Sequence, residues 1–142
     1  MQSTCPLDRQ TLLQYFLDAL TPRADWRVGM EVERLGRVAA TGRPLPYDGA
    51  EASVRGVLEF YRDRRPCSPI LEADYLIGLD GSFGNITLEP GGQVEWSSKP
   101  KRHLSDLASE MTEHMAVLGD TEQALGVKWL EEAVDPELPV SE

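Results

Sequence analysis

Glu31 and Glu33 stand two residues apart in Gly29-Met30-Glu31-Val32-Glu33, where Val28, Met30 and Val32 recur at every second position. Residues i and i+2 of a strand project to one side, so a strand here sets the two carboxylates about 7 Å apart on one face. Like charges that close repel unless they are solvated or share a cation. A hard divalent ion such as Mg²⁺ takes oxygen ligands, so the pair can hold a metal. The same spacing also describes a solvated strand face. A second group lies in Leu88-Glu89-Pro90-Gly91-Gly92-Gln93-Val94-Glu95-Trp96-Ser97-Ser98. Glu89 and Glu95 flank the Pro-Gly-Gly step, and the Gln93 amide sits between them. Glycines permit positive φ and close backbone approach, which suits a bulge or bend beside a ligand. A carboxylate pair here, on a strand next to the first, completes a metal-binding surface. A hairpin turn with exposed acids is the alternative that spacing leaves open.

Strands and helices must hold these residues. Leu12, Leu13, Phe16, Leu17 and Leu20 recur at helical spacing and predict a helix from about Asp8 to Thr21, stopped by Pro22. A strand is expected over 26–38, and a loop over 41–48, where Gly42, Pro44 and Pro46 cluster. Asp48 with Glu51 three residues on resembles a capping box for a helix carrying Val54, Val57, Leu58 and Tyr61 and ending near Pro66. The β-rich stretch is 73–98. Tyr75, Ile77 and Leu79 alternate, Asp80-Gly81 reads as a turn, Ile86 and Leu88 continue a second strand, and Val94 and Trp96 a third. After Pro100 a helix from about His103 to Leu125 is expected to pack Leu104, Leu107, Met111, Met115 and Leu118. Gly126 stops it and 127–130 forms a short strand. Strands do not alternate with helices, so the class is α+β, with antiparallel neighbours and helices on one face.

At 142 residues the chain fits one domain, and a net charge of −10 weighs against nucleic acid or an anionic membrane as partner. Acidity leaves room for a nucleotide met through a divalent cation. No run of about 18 apolar residues occurs. Residues 1–6 show no leader pattern, and Cys5 and Cys67 make neither a disulfide framework nor a zinc spacing; a cytoplasmic setting is expected. His103 and His114 lie eleven residues apart on one helix, about 16 Å, too far to share a metal, and are expected at its surface or terminus. Lys99, Lys101 and Arg102 read as a solvated cluster that could also meet phosphates, and Arg62, Arg64 and Arg65 as complements to a helix dipole. Trp26, Trp96 and Trp129 are expected to pack in the core or on the sheet.

Gly29-Met30-Glu31-Val32-Glu33-Arg34-Leu35-Gly36 followed by Leu88-Glu89-Pro90-Gly91-Gly92-Gln93-Val94-Glu95 resembles the glutamate–cysteine ligase family of plant and proteobacterial type. Arg43-Pro44-Leu45-Pro46-Tyr47 and the helix after Pro100 extend the likeness over about 26–130. The resemblance implies a partial glutamine-synthetase-like domain with a curved antiparallel sheet. It implies ATP, L-glutamate and L-cysteine as substrates, and Mg²⁺ held by Glu31, Glu33, Glu89 and Glu95. It places Gln93, Gly91 and Gly92 near glutamate or the metal, and Ser97 in the polar lining. The implied product is γ-glutamylcysteine, the start of glutathione-type thiol synthesis. Val32, where the family often has His, is expected to face the other side of the sheet. Residues 1–130 are read as the N-terminal part of the catalytic domain and 131–142 as an acidic tail. Because relatives are longer, the isolated chain is expected to be incomplete as an enzyme, and self-association or a missing second half is expected. The alternative is a shortened relative that binds metal, glutamate or a partner without turnover.

Overall fold

A computed structural model describes residues 8–49 and 52–136. Cys5, Glu51 and the end of the acidic tail lie outside these. The elements run α1 (Arg9–Asp18), β1 (Glu31–Val38), α2 (Val54–Arg64), β2 (Cys67–Glu72), β3 (Tyr75–Gly81), β4 (Gly84–Glu89), β5 (Gln93–Ser97), α3 (Leu104–Leu125) and β6 (Val127–Trp129). The strands form one sheet in the order β2-β3-β4-β5-β1-β6, with every neighbouring pair antiparallel. The α+β expectation holds.

Alternation decides the sheet's two faces. Leu79, Ile86, Val94 and Trp96 are fully or almost fully buried and join Val54, Val57, Leu58, Tyr61 and Leu118 of α2 and α3 in one core. Val32 packs against that core, as its alternation with the two glutamates requires. α2 starts at Ser53, whose hydroxyl accepts from the Gly56 N–H at 3.1 Å, and so not at Asp48, which instead pairs with Arg55 at 3.1 Å. α3 ends on Gly126 at φ +70, the left-handed stop its glycine suggested.

Five expectations need correction. The turn after β3 is Ser82-Phe83, closed by the Gly81–Gly84 pair, and Asp80-Gly81 lies in the strand. Gly81 is small because Phe83 folds over it, so a Cβ there would strike the ring. β2 has no counterpart in the sequence reading; Pro69 inside it disguises a strand, and a strand holding Pro belongs at a sheet edge, where β2 lies. α1 is capped by Asp8, which accepts from the Thr11 N–H at 2.7 Å, but buries none of its residues. Trp26 is likewise exposed, whereas Trp96 is buried and Trp129 half-buried. In α3 the buried stripe is Leu107, His114, Leu118 and Thr121, and Leu104, Met111 and Met115 face outward. Periodicity alone would not place a histidine there; its ring is accommodated because it stacks on Trp96 at 5.2 Å and its Nδ1 meets the Tyr61 hydroxyl at 2.7 Å.

Candidate functional site

Register brings the singled-out residues of β1, β4 and β5 onto the sheet face that the core does not use. Glu33 stands directly opposite Glu95, Glu31 opposite Ser97, and Glu89 opposite Gln93. Because side chains alternate across a strand, Glu31, Glu33, Glu89, Gln93, Glu95 and Ser97 share one face, and Val32, Val94 and Trp96 the other. The shared face is open: each of those six residues is exposed or half-buried. The Pro90-Gly91-Gly92 step is the turn from β4 to β5. Gly91 and Gly92 have φ of +86 and +78, conformations that L side chains avoid, so glycine is required at both.

Hydrogen bonds order part of this surface. The Ser97 hydroxyl donates to Glu95 Oε1, and the Ser98 hydroxyl accepts from the Met30 N–H at 2.8 Å, tying the entry of β1 to the exit of β5. The Gln93 amide nitrogen reaches only the Pro90 carbonyl, at 3.5 Å. Among the described residues no three His, Cys, Asp or Glu side chains come close enough to enclose a metal by themselves. Register sets the carboxylates of Glu33 and Glu95 directly opposite each other, with Glu31 the next residue of that face along β1 and Glu89 the next along β4 from Thr87.

Register also adds neighbours that sequence reasoning missed. Thr87 lies opposite Glu95, Asn85 opposite Ser97, and Asp80 opposite Asn85. Their signal was the odd-numbered polar alternation Asn85, Thr87, Glu89 along β4, hidden by a turn set too early. Asn85 Oδ1 is buried without a partner, and Asp80 pairs with Lys99 at 2.9 Å. The basic cluster is accordingly tied to acids: Lys101 meets Glu110 at 2.6 Å and Arg102 meets Asp25 at 3.7 Å. Arg65, at the end of α2, pairs with Glu113, and Arg64 lies over the Phe60 ring.

Fold and face together define an α+β protein whose sheet is packed by helices on one side and lined with carboxylates on the other. Residues 27–142 match the family model described as Glutamate-cysteine ligase family 2 (GCS2), and the chain belongs to that family. It is 30% identical over 142 residues to the chloroplastic glutamate–cysteine ligase B of Oryza sativa subsp. japonica, covering 100% of this chain and 28% of the rice protein. It is also 30% identical over 128 residues to the chloroplastic enzymes of Brassica juncea and Arabidopsis thaliana, covering 90% of this chain and 24% of each. The chain thus spans about a quarter of the length of these curated relatives. The family is one of enzymes, as its members' names state. The cytoplasmic expectation is overturned: these relatives are chloroplastic. That expectation rested on residues 1–6 and on reading Cys5 and Cys67 as ordinary thiols, neither of which fixes residence in a chain that matches only part of its relatives.

Proposed function

We propose that this chain supplies the metal- and glutamate-binding strands of a ligase that joins the γ-carboxylate of L-glutamate to the amine of L-cysteine. ATP is the co-substrate and Mg²⁺ the metal. The observation that carries this reading is the register that sets Glu33 against Glu95 on an open face, with Glu31, Glu89, Gln93 and Ser97 around them. The donor set is all oxygen, which fits a hard cation. Mg²⁺ is held through about one or two carboxylates plus waters and phosphate oxygens, not by an all-protein cage, so a cross-strand pair without a third close acid suits it. Glu33 and Glu95, with Glu31 and Glu89 beside them on the same face, would hold magnesium, which when bound neutralises phosphate charge.

The chain's own contribution is positioning. The Gln93 amide and the backbone of Gly91 and Gly92 lie where a glutamate carboxylate or ammonium can be oriented, and Ser97 fixes the Glu95 carboxylate. A glutamate γ-carboxylate oxygen attacks the terminal phosphorus of ATP, the bridging P–O bond breaks, and ADP leaves. The cysteine amine then attacks the γ-acyl carbon, phosphate departs with the acyl–oxygen electron pair, and the amine loses a proton to solvent. No protein nucleophile is needed, in keeping with phosphoryl transfer by positioned charge. The product, γ-glutamylcysteine, opens glutathione-type thiol synthesis.

A second reading is binding of metal, glutamate or ATP without turnover. ADP release by the folded chain with Mg-ATP and glutamate, with and without cysteine, separates them. Cysteine-dependent release establishes the ligase in this chain. Saturable magnesium-dependent binding of ATP or glutamate without release establishes half a ligase site. Absence of both overturns the site.

A further inference from the structure

On the opposite side of the sheet, where α3 crosses β1 and β6, a cavity of about 270 Å³ is lined by Arg34, Met115, Leu118, Trp129, Glu122 and Glu131. It is independent of the carboxylate face. Arg34 sits on β1 opposite Val94, so its side chain enters the face that is otherwise apolar. Its Nη1 donates to the Leu130 carbonyl at 3.1 Å, its Nε is buried without a partner, and no carboxylate among the described residues lies within ion-pair reach of it. A half-buried guanidinium without a counter-charge is costly, and its planar fork suits a carboxylate held by two hydrogen bonds. A simple anion fits poorly, because Glu122 and Glu131 also line the space. A plain hydrophobe would leave Arg34 unanswered.

We propose that this cavity binds a small α-amino acid with an apolar side chain. Its carboxylate sits on Arg34, its ammonium meets Glu122 and Glu131, and its side chain lies against Met115, Leu118 and Trp129. The volume falls just below the ~300–1,000 Å³ of drug-sized sites, which limits the ligand to about amino-acid size. Gly119 of α3 also lines the cavity, and an added Cβ there would meet nothing within 4 Å, so a larger side chain at this position would project into the ligand's space without striking the core. The site would let amino-acid supply act on the sheet from its helical side.

The test follows the Trp129 indole N–H by NMR in the folded chain titrated with L-leucine, L-leucinamide and 4-methylpentanoate. Saturable shifts are expected with L-leucine, at least tenfold weaker with the two analogues that each lack one charge. Arg34→Met should weaken L-leucine at least tenfold. Gly119→Leu should abolish the shift while leaving the chain folded, because it adds helix propensity and fills open space. Equal response to all three compounds would overturn the zwitterion assignment. No saturable shift with L-leucine, or a shift that survives Gly119→Leu, would overturn the site.

Discussion

Glu33 and Glu95 face each other across β1 and β5, and like charges directly opposite on a sheet cost about 0.2–1 kcal/mol. Glu33→Gln and Glu95→Gln are therefore each expected to stabilise the metal-free chain by a few tenths of a kcal/mol in urea unfolding, while weakening its Mg²⁺ titration. Loss of stability in both variants would contradict the unshielded pair. Glu89 stands opposite the neutral Gln93, so Glu89→Gln should weaken magnesium-dependent ligand binding and leave the unfolding midpoint in place. An unaltered titration would remove Glu89 from the site. His114 belongs to the other face, inside the core. Burial, aided by the Arg65 and Arg34 charges, pushes its pKa down to about 4. An unfolded histidine titrates near 6.5, so between these values the unfolded chain takes up a proton that the fold refuses. Its contribution is fully present above about pH 6.5 and is lost as pH falls toward about 4. Unfolding midpoints measured from pH 7.5 down to 4.5 should drop, and His114→Phe should flatten that slope; an equally steep profile in the variant would assign the loss to other groups.

At the scale of elements, two glycines separate backbone conformation from steric exclusion. At Gly84, φ is +111 and an added Cβ would run into the Ser97 carbonyl, the backbone of the neighbouring strand; at Gly126, φ is +70 and the space is open. Gly126→Ala should thus cost about 1 kcal/mol, a left-handed residue's ordinary penalty, whereas Gly84→Ala should open the β4–β5 pairing and cost severalfold more. Equal urea midpoints for the two would disprove the distinction. The same comparison explains what was legible. β1 and β5 could be read because apolar Val32, Val94 and Trp96 alternate with the polar residues of the open face, and a period of two carries the face assignment with it. β4 was only half legible, because glycines at 81 and 84 serve a ring contact and a strand approach, and sequence gives no sign of which glycine is a turn. α3 had its length and its Gly126 stop written in its residues, but not its rotation. His114 and Thr121 displaced two methionines inside only because Tyr61, Trp96 and Trp129 offered them partners from elsewhere in the chain. Nor could the strand acids' distances be read, since these depend on pairing across 62 residues, as between Glu33 and Glu95.

At the scale of the molecule, the sheet formed by the described residues has two free edges, β2 and the three-residue β6, and α1 turns Leu12, Leu13, Phe16 and Leu17 to solvent. Unpaired strand edges and exposed apolar faces both invite association, and Pro69 blunts the β2 edge only locally. A net charge of −10 opposes it by repulsion between copies, over a Debye length of about 8 Å at physiological ionic strength. The short-range attraction is apolar and the long-range repulsion is screened by salt, so the isolated chain should self-associate, and more strongly as salt rises. Light scattering is expected to give a mass above the 15.8 kDa of one chain at high protein concentration, increasing between low and high salt. Phe16→Glu with Leu13→Glu tests the helix face and Leu71→Lys the β2 edge, since all three side chains are exposed and none supports the core. Restoration of the monomer by the α1 pair alone would assign association to the helix, and by Leu71→Lys alone to the sheet edge. A monomer for the unaltered chain at every salt concentration would mean that neither surface is adhesive.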